Sequence, residues 1–374
     1  MISQEANGYF GFSGNLYKSD LIRSAIRPKV RAIGKTIPKH IRRDSNGLKV
    51  NPEPYIRILL EEPNPNMTMQ KLLEKTITQL ELNNNAFIYV ARDDNGYPIG
   101  LYPINSTSAQ VVKDESNRYF YHFFLTGGKE VTFSFDDVMH LSKDYGASEH
   151  FGESNAEVLT PLMEIVTTSD QSIVKAIKNS NVIRWLLKWN QALKPSDLKK
   201  NAKEFQETFL SVDSDIDGLV ATDSKVDATR IEPKDYVPSE AQTGSITKRV
   251  YAFFNTNEKI VHSTYSENEW ISYYENVIEP DVVQLSNLFT KLLFTRKERA
   301  YGNKVMFESD NLSFASLKTK MEYVNGGIDR GYLNRNEGRE IFNKAPIEGG
   351  DEYIRRLDLG LSNDSDSKGG ENNE

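Results

Sequence analysis

Three carboxylates at alternate positions, Asp213, Asp215 and Asp217, stand directly before Gly218. Oxygen ligands at alternate positions followed by a glycine form the opening of a calcium-binding loop. The twelfth position of such a loop carries a bidentate glutamate, and in this chain that position is Ser224. The sequence therefore predicts a solvated acidic turn and leaves a weak cation site as the alternative.

A second candidate for chemistry is Gly34-Lys35-Thr36, which has the ending of a phosphate-binding loop. The first glycine of that motif would stand at position 29, which is a lysine, and the residues before Gly34 have helical spacing rather than strand spacing. We therefore interpret these residues as a helix end and predict no nucleotide site.

Metal ligands and nucleophiles do not converge anywhere in the sequence. The chain has no cysteine and no G-x-S-x-G motif. The histidines fall in different predicted elements, at His40, His122, His140, His150 and His262. A metal site between His140 and His150 stays open as an alternative, because Asp144 and Glu149 lie in the same segment. The sequence predicts a protein that is not an enzyme and has no cofactor, with a metal-dependent nuclease as the rival enzyme reading.

Positive charge is concentrated near the N-terminus. The whole chain has a formal net charge of −7, yet residues 1–60 contain eleven lysines and arginines against four acids. A basic tract can bind nucleic-acid phosphates by releasing counterions. The sequence favours a solvated helix face or a docking surface for an acidic partner, since the chain as a whole is acidic.

The sequence also predicts where the protein is made. No run approaches the roughly 18 apolar residues of a membrane span. Residues 1–17 have neither the basic start nor the apolar stretch of a secretory signal, and we interpret them as a flexible N-terminus. We expect a cytoplasmic origin and no membrane partner.

The first half of the chain predicts an α+β unit. Its turn pairs, Asn95-Gly96 and Gly127-Gly128, supply the positive φ that tight hairpins need. Apolar spacing predicts helices at 18–36, which Pro38 ends, and at 69–82, with strands at 86–92, 99–103, 119–125 and 131–135.

The second half predicts a small insertion between two helices. The first helix runs to 179, with Thr160 as its cap and Pro161 as its first residue, and the second spans 240–254. Between them we expect a helix at 196–210 and strands at 182–189, 218–221 and 227–231. A polar loop at 255–268 leads to the strongest helix, 269–293, which we expect to be kinked at Pro280. A strand at 304–308, helices at 313–325 and 334–342 and a disordered tail from Gly360 follow.

Three passages, taken in order, carry a family resemblance. They are Pro63-Asn64-Pro65-Asn66 with Asn84-Asn85-Ala86 and Leu101-Tyr102-Pro103; Asp137-Val138-Met139-His140 ahead of Thr160-Pro161-Leu162; and Asn336-Glu337-x-Arg339 with Pro346-Ile347-Glu348-Gly349-Gly350-Asp351. Their order and spacing over residues 20–355 resemble the portal-protein family of tailed double-stranded DNA bacteriophages.

The resemblance implies a subunit of a ring, dodecameric in assembled virions, with an α/β wing, two long stem helices, a small αβ clip, a kinked tunnel helix and a short helical C-terminal region or crown. On this chain the wing corresponds to 18–155 with 293–312, the stem to 160–179 and 239–254, and the clip to 181–236. The tunnel loop corresponds to 255–268, the tunnel helix to 269–292, the crown to 313–358 and the disordered tail to 360–374.

The same resemblance implies a structural protein at the portal vertex of the virion, assembled in the host cytoplasm, whose ring forms the channel for DNA packaging and ejection. Its implied partners are other copies of the chain, double-stranded DNA, the terminase that acts as packaging ATPase, the major capsid or scaffolding protein and a head-tail connector. A head-tail connector or capsid protein without a DNA channel is the alternative.

A conduit must guide DNA without anchoring it, because each cation paired with a phosphate must be released as the DNA moves. The residues that we expect to face the passage are Lys248, Arg249, Lys259, His262 and Tyr265. The acids that we expect to dock the terminase or connector at the clip are Asp213, Asp215, Asp217, Asp223 and Asp227.

Overall fold

The computed structural model describes residues 9–10, 19–44, 47–146, 148–180, 184–189, 194–209, 226–231, 239–308, 317–342 and 344–353. The helices are α1 (Asp20–Gly34), α2 (Pro54–Glu61), α3 (Met69–Asn83), α4 (Ala156–Ser180), α5 (Pro195–Phe209), α6 (Glu240–Phe253), α7 (Glu258–Val261), α8 (Glu267–Tyr273), α9 (Glu279–Leu293), α10 (Arg296–Ala300), α11 (Leu317–Asp329) and α12 (Arg335–Ile341). The strands are β1 (Tyr9–Phe10), β2 (Ile37–Asp44), β3 (Gly47–Val50), β4 (Asn85–Arg92), β5 (Pro98–Pro103), β6 (Ser106–Lys113), β7 (Tyr119–Leu125), β8 (Glu130–Ser134), β9 (Val138–Ser142), β10 (Arg184–Trp189), β11 (Val226–Ile231) and β12 (Asn303–Glu308).

The chain divides into two units, Met1–Glu157 with Val250–Glu374, and Val158–Arg249. Helices and antiparallel sheets occur in both, so the α+β class expected from the sequence is confirmed. Among the described residues, no helix is long and apolar enough to cross a membrane.

The first unit contains three antiparallel sheets, with strand orders β1-β6-β7-β8, β5-β4-β9 and β12-β2-β3. Its aromatic core lies where β4 meets β7. Phe87 and Phe123 are fully buried there, with ring centroids 4.9 Å apart in an edge-to-face arrangement. Along β7, Tyr121 and Phe123 are buried while their neighbours are partly exposed, as expected of a strand with one buried face.

Helix α1 packs closely against α3 through a glycine. A Cβ atom at Gly34 would lie 2.7 Å from Cγ of Glu74, so a larger residue here would force the Glu74 side chain to move. The hydroxyl of Thr36 donates to the carbonyl of Ile33 at 2.7 Å. The interpretation of Gly34-Lys35-Thr36 as a helix end is confirmed.

A buried ion network joins four segments of the first unit. The ammonium of Lys29 on α1 lies 2.8 Å from a carboxylate oxygen of Glu81 on α3 and 2.8 Å from one of Asp281 on α9. Lys143, which follows β9, reaches the same Glu81 oxygen at 2.9 Å. The Lys29 and Glu81 side chains are only 8% and 2% exposed, so this network is shielded from water.

Burial and charge act in opposite directions on these groups. Burial alone would lower the pKa of Lys29, but Glu81 and Asp281 raise it above its ordinary value. Burial opposes the charge on Glu81 as well, yet Lys29 and Lys143 lower its pKa. For Asp281 burial is the stronger effect and raises the pKa. Lys29 and Glu81 are therefore the firmly charged pair at the centre of the network.

The first resemblance motif forms a polar junction. Asn84 ends α3 in the left-handed conformation, with φ of 55°. Its side chain donates to the carbonyl of Glu153 at 2.9 Å and pairs with the amide of Asn155. The Asn85 side chain makes two further bonds, to both backbone groups of Gly152. These two asparagines thus fix the segment that leads into α4.

The second motif contributes His140 to the same junction. Nε2 of His140 lies 3.0 Å from the Asn85 oxygen, and Nδ1 lies 3.1 Å from the Tyr121 hydroxyl. A neutral ring that donates from Nε2 and accepts at Nδ1 satisfies both bonds. Burial, assisted by His150, lowers the pKa of His140 to about 3. The ring is therefore neutral at ordinary pH.

The other motif residues also bind one another. The buried amide of Asn64 donates to the carbonyl of Leu101 at 2.7 Å. In the third motif, Asn336 donates to Asp351 at 2.7 Å, and Arg339 donates to the carbonyl of Ala345 at 2.7 Å. Polar side chains of the first and third motifs thus tie loops to neighbouring elements.

The helix predicted at 269–293 is helical from Glu267 to Leu293, but its middle is a π-helical turn over Tyr274–Ile278. The backbone N–H of Glu279 donates to Tyr274, five residues back. Pro280 follows at once, at the start of α9. Proline lacks an N–H and collides with the carbonyl four residues earlier, and the wider turn accommodates both effects.

The helix predicted to begin at Thr160 begins earlier, at Ala156, so the predicted start is wrong and Pro161 lies inside α4. The Ser154 hydroxyl accepts from the backbone N–H of Ala156 at 3.2 Å, which turns the chain into the helix four residues sooner. Pro161 then removes one backbone hydrogen bond within the second turn.

In the second unit, β10 and β11 form an antiparallel pair in which Lys188 lies opposite Asp227. With α5, they confirm the predicted insertion between α4 and α6. The strand predicted at 218–221 lies outside the described residues.

Two strands, β2 and β6, could not be predicted from apolar spacing. β2 contains Pro38 and three cations, and it is a strand because β12 and β3 pair with its two edges. β6 is mostly short polar residues and lies between β1 and β7. In both, the neighbouring strands decide the conformation.

Removing Lys29 tests the ion network. Replacing Lys29 with Met leaves Glu81 and Asp281 buried with too little positive charge, and we expect it to lower the free energy of unfolding by about 3–5 kcal/mol. Lys35→Met on the same helix is the matched control, because Lys35 is exposed. Urea denaturation, monitored by tryptophan fluorescence, measures the free energy of unfolding of both variants. Equal stability of the two variants would contradict the proposed role of the network.

Acid titration tests His140. The unfolded chain binds a proton at this histidine below about pH 6.5, whereas the folded chain excludes it down to about pH 3. Stability should therefore fall as pH drops through this window, by roughly 1 kcal/mol per pH unit from this residue. We expect His140→Gln to flatten the dependence of melting temperature on pH, while His262→Gln, at an exposed site, leaves it unchanged. Identical slopes for the two variants would rule the assignment out.

Candidate nucleic-acid interface

The segment between α6 and α8, expected to be a loop over 255–268, is partly helical. α7 occupies Glu258–Val261, and the Asn257 side chain caps it by accepting from the N–H of Ile260 at 3.1 Å. Ile260 is buried. The prediction of a loop is therefore wrong for these residues, because the polar composition concealed one helical turn that is anchored by the apolar side chain of Ile260.

The second half of the segment is fixed by a capping box. Ser266 accepts from the N–H of Glu269, and Glu269 accepts from the N–H of Ser266 at 2.8 Å. Glu269 also pairs with Lys259, and this contact together with the bonds to Ser266 lowers the pKa of Glu269 to about 2. The Tyr265 ring stacks on Trp270, with centroids 4.8 Å apart. The segment is therefore held in one conformation by local contacts.

The structure places the five predicted DNA-facing residues in two groups. Lys259, His262 and Tyr265 lie on the α7–α8 segment of the first unit, whereas Lys248 and Arg249 are exposed on α6 in the second unit. Of these, Lys259 has its charge balanced by Glu269, and Tyr265 is partly covered by Trp270. His262 is exposed.

The predicted clip acids are mostly outside the described part of the chain. Asp213, Asp215, Asp217 and Asp223 are in 210–225, which the structure does not describe, and Asp227 is the second residue of β11. Among the residues that the structure does describe, no group of three or more His, Cys, Asp or Glu side chains is placed to hold a metal ion.

The sequence treated the basic helix and the polar segment as separate features, but the structure brings them together. A pocket of about 290 Å³ is lined by Arg27, Arg31 and Lys35 of α1 and by Tyr265 and Trp270. On its other side, α1 borders a cleft of about 520 Å³ shared with α3. The four-residue spacing of the cations on α1 was visible in the sequence, but the contact between segments more than 200 residues apart was not.

Comparison with known proteins identifies the fold. This chain is similar to the neck of an empty gene transfer agent particle computed with C6 symmetry, with a TM-score of 0.65 and 14% identity over 89% of this chain and 92% of the other. It is similar to the neck of the native particle computed with C12 symmetry, with a TM-score of 0.62 and 13% identity over 92% and 97%. At these identities the likeness shows a shared fold.

A third similar structure is the crystal structure of an HK97 family phage portal protein from Corynebacterium diphtheriae. It aligns with a TM-score of 0.53 and 13% identity, over 82% of this chain and 98% of the other. This alignment also shows the fold alone.

Sequence relatives point the same way. Probable portal proteins of Lactococcus phages p2 and SK1 are each 28% identical over 201 residues, which cover 50% of this chain. The match spans about half the length of these curated relatives, 52% of each. The family model for phage portal proteins matches residues 21–343. Since that match covers most of its 374 residues, the chain belongs to the phage portal protein family.

Proposed function

We propose that this chain is the structural subunit of a ring at a capsid vertex, and that the ring forms the channel through which double-stranded DNA is packaged and ejected. The observation that carries the proposal is the family match over residues 21–343. The fold likeness to a particle neck computed with C12 symmetry supports a ring of twelve copies. In this proposal the ring is assembled in the host cytoplasm, lies in the virion and performs no catalysis itself.

In this proposal, we assign the helices and strands to the regions that the resemblance names. The wing comprises α1 to β9 together with α10 and β12, the stem comprises α4 and α6, and the clip comprises β10, α5 and β11. The tunnel loop is the α7–α8 segment, and the tunnel helix is the π-interrupted helix that ends at Leu293. The crown comprises α11 and α12.

The local contacts of the α7–α8 segment suit a channel wall. DNA that slides past a wall must not meet strong anchors, because each unbalanced cation that pairs with phosphate adds a salt-dependent attachment. Lys259 is balanced by Glu269, and Glu258 and Glu267 give the segment a net negative charge, so it offers phosphate no strong anchor. We propose that Lys259, His262 and Tyr265 face the DNA, as do Lys248 and Arg249 on the stem.

The partners in this proposal follow from the same assignment. In this proposal a separate packaging ATPase, the terminase, drives the DNA and docks at the clip along with the head-tail connector. The acids proposed to dock these partners lie close together in the sequence of this region, at Asp213, Asp215, Asp217, Asp223 and Asp227. The capsid or scaffolding protein would meet the wing.

Ring formation is the first test. Mass photometry and negative-stain microscopy of the purified protein should show rings of about twelve copies with a central channel, as the twelvefold neck suggests. Shells, or monomers at every concentration, would contradict the proposal.

A pair of α4 variants makes the same test more specific. Ile165 and Val174 are about half exposed on α4, at 46% and 48%, and contacts between copies would cover them. We expect Ile165→Asp with Val174→Asp to release monomers. Gln171→Asp, at an exposed polar position of the same helix, should leave the rings intact.

The channel wall is tested by reversing charge. We expect rings carrying Lys259→Glu and His262→Glu to form normally, because both side chains are exposed. They should yield at least about tenfold fewer DNA-filled particles, since added negative charge repels passing phosphates. Nuclease-protected DNA from phage complemented with each variant measures this. The control, Lys129→Glu with Lys297→Gln, makes the same charge change at exposed sites elsewhere, with histidine counted as neutral. Normal filling by the first variant would exclude these residues from the channel wall.

A further inference from the structure

Five cations line the cleft between α1 and α3. Arg23, Arg27 and Arg31 follow one another at intervals of four residues on α1, and all three are exposed. Four residues of helix rise about 6 Å, so these groups form a slowly turning row along one side of the helix. Lys71 and Lys75 face the row from α3, across the cleft of about 520 Å³.

The charge of four of these cations is not balanced by an ion pair within the described part of the chain. None of Arg27, Arg31, Lys71 and Lys75 forms an ion pair with an acid there. Glu74 is the acid among the residues that line the cleft, and its carboxylate accepts from the amide of Gln70 at 2.9 Å. Cations this close repel one another, so an occupant that brings negative charge is favoured.

Two polyanions fit such a cleft, nucleic acid and an acidic protein segment. If the ring conducts DNA, as proposed above, unbalanced cations on its path would anchor the DNA that has to move. A cleft of this charge therefore suits a partner that stays bound.

The spacing also fits an extended peptide. Side chains on one face of a β-strand are about 6.6 Å apart, close to the roughly 6 Å between successive cations on α1. Guanidinium groups bind carboxylates through two parallel hydrogen bonds, which favours arginine in the row. We infer that the α1–α3 cleft docks an extended acidic segment of a partner protein of the ring, with acids at alternate positions.

The probe for this inference is a fluorescein-labelled peptide of alternating aspartate and serine, about twelve residues long so that it exceeds the cation row. Fluorescence anisotropy with the assembled ring should show binding that weakens as salt is added. Arg27→Glu with Lys75→Glu should weaken it at least about tenfold, because charge-assisted contacts on both walls are lost. Lys129→Glu with Lys297→Glu, an equal charge change away from the cleft, should leave it unchanged.

The outcomes separate this inference from the proposed function. Rings that bind the peptide equally well with and without the cleft substitutions would overturn the inference while leaving the ring proposal standing. A duplex of about twelve base pairs that binds more tightly than the peptide and shows the same loss in the cleft variant would also overturn it, in favour of nucleic acid. If the wild-type protein forms no rings, the proposed function is wrong, whether or not the peptide binds. Melting temperatures of the variants confirm that they fold.

Discussion

The first unit depends on how a single ammonium group is satisfied. Lys29 lies almost wholly out of water, and its charge persists because two carboxylates from different helices reach it. An unpaired charge at that depth would cost several kcal/mol, so α1, α3 and α9 have to meet with their helix faces in fixed positions. Gly34 allows the close approach of the first two helices, and Lys143 adds the strand that leads toward α4. Apolar burial holds the elements together, whereas this network specifies which faces meet.

The sequence predicted elements well where the pattern was local. The helices that became α1, α3, α5, α6 and the run ending at Leu293 showed their apolar faces in the sequence, and the turns at Gly96 and Gly127 were recognisable from the glycines. It failed where a partner strand or a side-chain cap decided. β2 has the composition of a basic linker, and its pairing with β12 makes it a strand. Helix α4 begins at Ala156, where the Ser154 hydroxyl binds the backbone, and not at the more conspicuous Thr160.

The candidate interface was predictable only in part. The individual residues of the α7–α8 segment could be named from the sequence, but their contacts could not. The pairing of Lys259 with Glu269 and the stacking of Tyr265 on Trp270 depend on the fold. The motifs behave in the same way. Asn84, Asn85 and His140 could be quoted as a resemblance, yet their role as a buried polar junction becomes visible only when Glu153 and Gly152 are in place. Charge and residue type follow from sequence, whereas pairing depends on the fold.

The π-helical turn at Tyr274–Ile278 has a consequence for alignment. Such a turn contains one residue more than the α-helix would need, so everything after it is rotated by about 100° relative to an uninterrupted helix. The angle around the helix axis between Trp270 and Asp281 therefore differs by about 100° from its value in an uninterrupted α-helix. Losing one residue within the turn would restore ordinary helical geometry and leave Asp281 facing Lys29, because the wider turn absorbs the extra residue. Relatives of this protein that lack that residue are thus expected to carry the acid of the network one position nearer to Trp270 in sequence.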